Sequence, residues 1–180
     1  MPNSASPSLL HPSPSAAAPS GKAVLETLLR QLVLAVGPLN LLQAGCPEPS
    51  TVVALAAGLS DNGRGRLVCC DPESERALAA SAAVEAAGFG RHAEVRVGRP
   101  EHLLPGVPGP VDLLLLGSAP ESYLPLLSLL EPRMLPGAVV VAHGAGRSTQ
   151  FLEYLRMPGS GYVSLPVSFG GGLEMAVRAR

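Results

Sequence analysis

The sequence predicts an α/β fold, a doubly wound and mostly parallel sheet that ends in an antiparallel hairpin. Three observations carry this. Short apolar runs alternate with segments of helical spacing, the pattern of strands joined by crossover helices. One run, "VDLLLLG" (Val111 to Gly117), is apolar throughout, as a strand covered on both faces must be. The last segment, "GYVSLPVSF" then "GGG" then "LEMAVRAR", reads as two strands about a glycine turn.

The elements follow in order. "AVLETLLRQLVLAV" places Val24, Leu25, Leu28, Leu29, Leu32 and Val36 at helical spacing, and Gly37-Pro38 stops the helix. "LNLLQA" (Leu39 to Ala44) is a short buried strand, and Ser50 or Thr51 is a candidate cap for a helix running to Leu59. "LVCC" (Leu67 to Cys70) is the second strand. "PESERALAASAAVEAAG" is an alanine-rich helix with Pro72 in its first turn and Gly88 at its end. "AEVRV" is the third strand, "PEHLL" a helical turn, and "VDLLLLG" the fourth strand. "ESYLPLLSLLEPRM" is a helix only if Pro125 lies in its first turn. "AVVVAH" (Ala138 to His143) is the fifth strand and "TQFLEYLRM" the last helix.

Composition bounds the rest. The 180 residues are 47% hydrophobic but only 3% aromatic, so the core is built from Ala, Val and Leu. A formal charge of −1 argues against nucleic acid or an anionic membrane as a partner. No run is long enough to span a bilayer. Residues 1–20 hold five prolines and six serines without a charged side chain, which reads as a disordered tail ahead of a single domain, 21–180. The tail lacks the basic start and unbroken apolar centre of a secretory signal, so a cytoplasmic location is expected. Cys46, Cys69 and Cys70 make no disulfide framework and no C-x-x-C, and adjacent Cys69 and Cys70 read as core-filling thiols on opposite faces of a strand. The apolar helices "LETLLRQLVLAV" and "YLPLLSLLEP" could pair across a homodimer or simply fill the core.

In an open parallel sheet, ligands sit beyond the carboxyl ends of the strands where the strand order reverses. That directs attention to Gly45, Asp71, Gly98, Gly117, Ser118 and His143. "CDPESERALAASAAVEAAGFGRHAEVRVG", "PVDLLLLGSAPESYLPLLSLLEPRMLPGAVVVAHG" and "VSLPVSFGGGLEMAVRAR", in this order and spacing, resemble the class I S-adenosylmethionine-dependent methyltransferases, with their Rossmann-like sheet. The nearest look is to the O-methyltransferases of the catechol and caffeoyl-CoA type, with Tyr123 at that family's usual tyrosine.

The resemblance implies S-adenosylmethionine as cofactor, held by Gly45, Asp71, Gly98, Gly117 and Ser118, and a small-molecule hydroxyl as methyl acceptor. An acid closing the second strand suits a ribose diol, because a carboxylate accepts several hydrogen bonds; Asp71 would serve equally as a helix cap. The loop "GCPEPS" keeps Gly45 but carries Pro47 and Pro49 where glycines are usual, so it is either a cofactor loop or a stiff turn. Gln43 stands for the family's acid at the end of the first strand, and Arg99 for its acid near adenine. The family's metal-ligand positions read Gly117, His143 and Gly144, and the second aspartate and lysine of its fourth-strand motif read Ala119 and Pro120. One imidazole cannot supply the oxygen ligands of a hard cation, so no metal is expected. His143 remains as a general base for a metal-free methyl transfer, or as a histidine that merely ends a strand. Two outcomes stay open: an active methyltransferase, or an inactive methyltransferase fold serving as a binding or partner subunit. No G-x-S-x-G elbow supports a hydrolase built on Ser118, His143 and Asp112, and no G-x-x-x-x-G-K-[ST] loop is present.

Overall fold

The computed structural model describes residues 20–168 and 172–179. The Pro/Ser segment falls outside these residues except for Ser20, as do Phe169, Gly170, Gly171 and Arg180 of the segment read as a closing hairpin. Ser20 N-caps the first helix, its side chain accepting a hydrogen bond from the Ala23 N–H.

The chain runs α1 (Gly21–Val36), β1 (Asn40–Ala44), α2 (Pro49–Asp61), β2 (Arg66–Asp71), α3 (Ser74–Ala86), β3 (Ala93–Val97) and α4 (Pro100–Leu103). It continues through β4 (Leu113–Leu116), α5 (Tyr123–Leu130), β5 (Val139–His143), α6 (Thr149–Arg156), β6 (Tyr162–Val167) and β7 (Leu173–Arg178). The seven strands lie in the order β3-β2-β1-β4-β5-β7-β6. Strands β1 to β5 pair in parallel, and the closing hairpin adds β7 antiparallel to β5 and β6 antiparallel to β7. The predicted architecture is the one observed. The chain winds outward from β1 to β3, returns to β4 on the other side of β1, and so places its order reversal between β1 and β4.

Alternation along the strands builds two cores. Leu42, Ala44, Val68, Cys70, Leu114, Leu116 and Val140 face α5 and α6, while Leu41, Leu67, Cys69, Leu113, Leu115 and Val141 face α1 and α2. Cys69 and Cys70 thus point to opposite faces, as period-two geometry requires. Leu29 and Val33 of α1 and Leu126, Leu127 and Leu130 of α5 are spent on these internal cores. The register of β1 against β4 is fixed at the far end by Asp112, whose carboxylate accepts the N–H groups of Leu39 (2.8 Å) and Asn40 (2.9 Å).

Local details differ from expectation at two helix starts. Helix α2 begins at Pro49 with Glu48 as N-cap, not Ser50 or Thr51, because the fixed φ of proline suits the first helical position. Thr51 instead donates its hydroxyl to the Glu48 carbonyl (2.7 Å). Helix α3 begins at Ser74, leaving Pro72 in the turn before it. Pro125 is the third residue of α5, inside the first turn where its missing N–H breaks no helical bond.

Leu114 is fully buried at the centre of β4. Leu114→Ala removes apolar contact on a face that helices cannot readily refill and is expected to cost about 3 kcal/mol. A urea titration followed by circular dichroism measures this; a loss under about 1 kcal/mol would contradict the two-layer core described here.

Candidate functional site

The reversal between β1 and β4 is held almost closed at its base. Gly45 leaves β1 with φ +86°, a left-handed conformation, and donates its N–H to the Cys70 carbonyl (2.7 Å). A Cβ on Gly45 would lie 2.7 Å from the Ser118 nitrogen and 2.9 Å from the Gly117 carbonyl, inside any tolerable contact. Gly117 in turn faces Pro47: a Cβ there would lie 3.1 Å from the proline Cδ. The ends of β1 and β4 therefore approach as only glycines allow.

Above this contact opens a crevice of about 670 Å³, with Gly45, Asp71, Arg76, Arg99, Gly117 and Ser118 among its walls. Glu73 and Glu101 also line it. Gly98 is not among the lining residues; its N–H bonds the Asp71 carbonyl (2.9 Å), and the residues after it, Arg99 to Glu101, form the wall.

Asp71 ends β2 with its side chain 1% exposed. Its carboxylate accepts the Cys46 N–H (2.7 Å), the Glu73 N–H (2.8 Å) and two guanidinium bonds from Arg76 (3.0 and 3.1 Å). Burial pushes this carboxyl upward, but Arg76 and the two backbone N–H groups outweigh burial and hold it below its ordinary value. Asp71 does not cap α3 directly: Glu73 is the N-cap residue, and Asp71 supports it from two positions earlier.

His143, at the end of β5, stands apart from this crevice. It lines a smaller cavity of about 160 Å³ with Gln43, Thr51, Leu25 and Leu115. Pro47 and Gly117 line both spaces and so form the partition between them. Gly45, Asp71 and Gly117 line the larger cavity, and Gly117 and His143 the adjoining smaller one, at the same rim of the sheet. Pro47 packs against Gly117 where the two meet. Gln43 is fully buried at this wall; its amide nitrogen donates to the Gly45 carbonyl (2.9 Å), while its carbonyl oxygen has no partner.

The loop after β4 is tied to the end of β5 by Tyr123. Its hydroxyl donates to the His143 carbonyl (2.7 Å) and the Ser118 carbonyl (3.0 Å), and burial pushes the phenol up to about 12. The ring packs edge-on against Phe151, with centroids 5.6 Å apart. Asp112, by contrast, precedes β4 at the opposite end of the sheet, so Ser118, His143 and Asp112 form no triad.

Sequence reasoning missed three participants. Arg76 sits five residues after Asp71 and reaches it only because the Pro72–Glu73 turn folds α3 back over the strand end. Pro47 was visible as a departure from glycine, but not as a partition. Cys46 and Cys69, which the sequence does not pair, are paired in the structure with Cα atoms 7.1 Å apart, beyond the usual range for such a link. Cys70 is a free buried thiol, pushed by burial up to about 11.

Gly117, His143 and Gly144 present one ligating side chain between them, which does not fit a hard divalent cation. Among the described residues no group of three or more His, Cys, Asp or Glu is arranged to hold a metal ion, and no helix is long and apolar enough to cross a membrane.

A left-handed glycine exit from β1, an acid closing β2, the order reversal at β1/β4 and an antiparallel terminal hairpin together define the class I S-adenosylmethionine-dependent methyltransferase fold. The methyltransferase-domain family profile matches residues 43–145, and the chain belongs to that family. Solved structures agree on the fold. An O-methyltransferase from Bacillus cereus, in complex with S-adenosylhomocysteine, superposes with a TM-score of 0.75 at 19% identity, covering 92% of this chain and 84% of the other. The O-methyltransferase TomG from Streptomyces achromogenes, involved in tomaymycin synthesis and in complex with S-adenosylmethionine, gives 0.75 at 22% identity, covering 93% and 83%. A methyltransferase from Geobacter sulfurreducens gives 0.73 at 20% identity, covering 85% and 78%. No curated protein sequence matches the chain.

Two predictions follow from the geometry. Tyr123→Phe keeps the ring but strips the donor from two carbonyls, and is expected to cost about 1 kcal/mol in denaturant unfolding; no change would mean that water replaces the hydroxyl. Asp71 has a folded value below its unfolded one, so its charged form stabilises the fold above the ordinary value of 3.8. That contribution is lost as pH falls through the lower folded value. The stability gap between the wild type and Asp71→Asn should therefore shrink as pH falls from 5 toward about 2; a gap that is constant or widens over that window contradicts this.

Proposed function

We propose that the chain binds S-adenosylmethionine at the β1/β4 reversal and transfers its methyl group to the hydroxyl of a small molecule without a metal. The observation that carries this reading is the Asp71 carboxylate, ionised and buried, on the wall of a crevice floored by Gly45 and Gly117.

The donor set suits the cofactor. Asp71 would accept the ribose hydroxyls, and the backbone beside Gly45 and Gly117 comes close to the ligand because neither carries a side chain. In the smaller cavity the partnerless Gln43 oxygen and the Thr51 hydroxyl would meet the polar amino-acid end. Bound there, the cofactor supplies an electrophilic methyl group on a sulfonium, with a neutral thioether as leaving group. His143 lines that same cavity and would take the proton from the acceptor hydroxyl. Tyr123 fixes the His143 backbone and so the direction from which the imidazole enters.

A second reading, a methyltransferase fold that binds ligand without turnover, is favoured by one observation: Pro47 packs against Gly117 between the crevice and His143. Such a protein would act as a binding or partner subunit.

Isothermal titration with S-adenosylmethionine tests the first reading. Binding in the micromolar range, weakened about tenfold or more in Asp71→Asn (roughly 1.4 kcal/mol), is expected; no heat at millimolar ligand contradicts it. A methyl-transfer screen then separates the two readings. Turnover insensitive to EDTA and abolished by His143→Ala supports the enzyme, and binding without turnover supports the subunit. Activity lost on EDTA treatment contradicts the metal-free mechanism.

A further inference from the structure

An ionised carboxylate offers about four acceptor positions, and all four on Asp71 are taken. Cys46 N–H and Arg76 Nε occupy Oδ2 at 2.7 and 3.1 Å; Glu73 N–H and Arg76 Nη2 occupy Oδ1 at 2.8 and 3.0 Å. A ligand diol therefore finds no vacant acceptor. The two backbone donors are fixed by the loop after β1 and by the turn before α3. The other two belong to one side chain, which lines the crevice and is 50% exposed while its partner is 1% exposed. Water can solvate Arg76 when it leaves, whereas the buried Cys46 N–H has no such alternative and the Glu73 N–H is fixed by the turn.

We propose that Arg76 is a self-occluding latch: in the unliganded chain it holds the edge of Asp71 that a ligand's vicinal hydroxyls need, and binding requires it to swing into solvent. This rests on the reading of Asp71 as the diol acceptor. The fork geometry of guanidinium on carboxylate makes the closed state specific, and apparent affinity falls by the fraction of chains that are open. Arg99, Glu73 and Glu101 share the crevice and bear on the same balance. Glu73 lies beside Arg76 and favours its charged form, but gives it no competing fork.

The latch has a signature that a merely structural arginine lacks. Salt screens the half-exposed guanidinium and so weakens the Arg76–Asp71 pair, though less than it would a fully exposed pair. Raising ionic strength should therefore tighten binding of a ligand without net charge, the reverse of ordinary screening of a charged ligand.

The test is calorimetric titration of S-adenosylhomocysteine into the wild type, Arg76→Gln and Arg76→Lys, at low and high salt. Gln is expected to bind about tenfold more tightly than wild type, with Lys in between because one ammonium cannot make both bonds. Wild-type affinity should rise with salt, and that of Arg76→Gln should not. If the wild type binds but neither variant binds more tightly, the latch is overturned and the ligand site stands. If none of the three proteins binds, both the latch and the ligand reading fall. Circular dichroism of both variants confirms that the fold is kept, and the salt series on the wild type alone decides the matter should either variant unfold.

Discussion

The close approach of Gly45 to Gly117 and Ser118 is the constraint on which the site depends. Two parallel strands that feed helices on opposite faces must part at their carboxyl ends, and the gap between them is where a ligand can enter. Here the gap is narrowed until a single methyl group on Gly45 would collide with backbone at 2.7 Å. Left-handed φ at Gly45 lets the chain turn away at that point, and the Cys70 carbonyl receives its N–H. Everything above the contact follows from it: the floor of the crevice, the position of Pro47 over Gly117, and the division between the Asp71 and His143 spaces.

Electrostatics then divides the labour. The larger cavity holds a carboxylate kept ionised against burial by a guanidinium and two backbone donors. The smaller is mostly apolar, with Leu25, Leu29, Leu115 and Leu173 around one amide oxygen that lacks a partner. The two spaces meet where Pro47 packs against Gly117, so a ligand that used both would have to pass over that contact. Tyr123 ties the loop after β4 to the end of β5 by bonding a carbonyl of each.

Much of this was legible in the sequence because it rests on local rules. Short apolar runs mark the strands, and period-two geometry sets the opposite facing of Cys69 and Cys70. The acid after "LVCC" located the crevice wall, whereas α5 starts at Tyr123, two residues after the Glu121 that opens the predicted helix, which is what puts Pro125 in its first turn. What stayed hidden depends on distances between segments. Arg76 reaches Asp71 through a turn whose shape proline alone does not dictate. That Pro47 adds bulk to the loop is legible in the sequence; that this bulk lies against Gly117, where two cavities meet, is not. His143 and Asp71 both end parallel strands and share a rim, but which cavity each lines depends on how the loop carrying Pro47 packs between them. The pairing of Cys46 with Cys69 likewise needs the loop after β1 to fold back on β2, which no spacing announces.

Backbone amide chemical-shift mapping with S-adenosylhomocysteine tests the central claim most directly, because the N–H groups of Cys46 and Glu73 report on the Asp71 carboxylate from either side. The account predicts that these two amides, with Gly45 and Ser118 at the floor, shift most and saturate together. Shifts confined to the β6–β7 hairpin or the outer faces of the helices, with Cys46 and Glu73 unmoved at saturation, would contradict it.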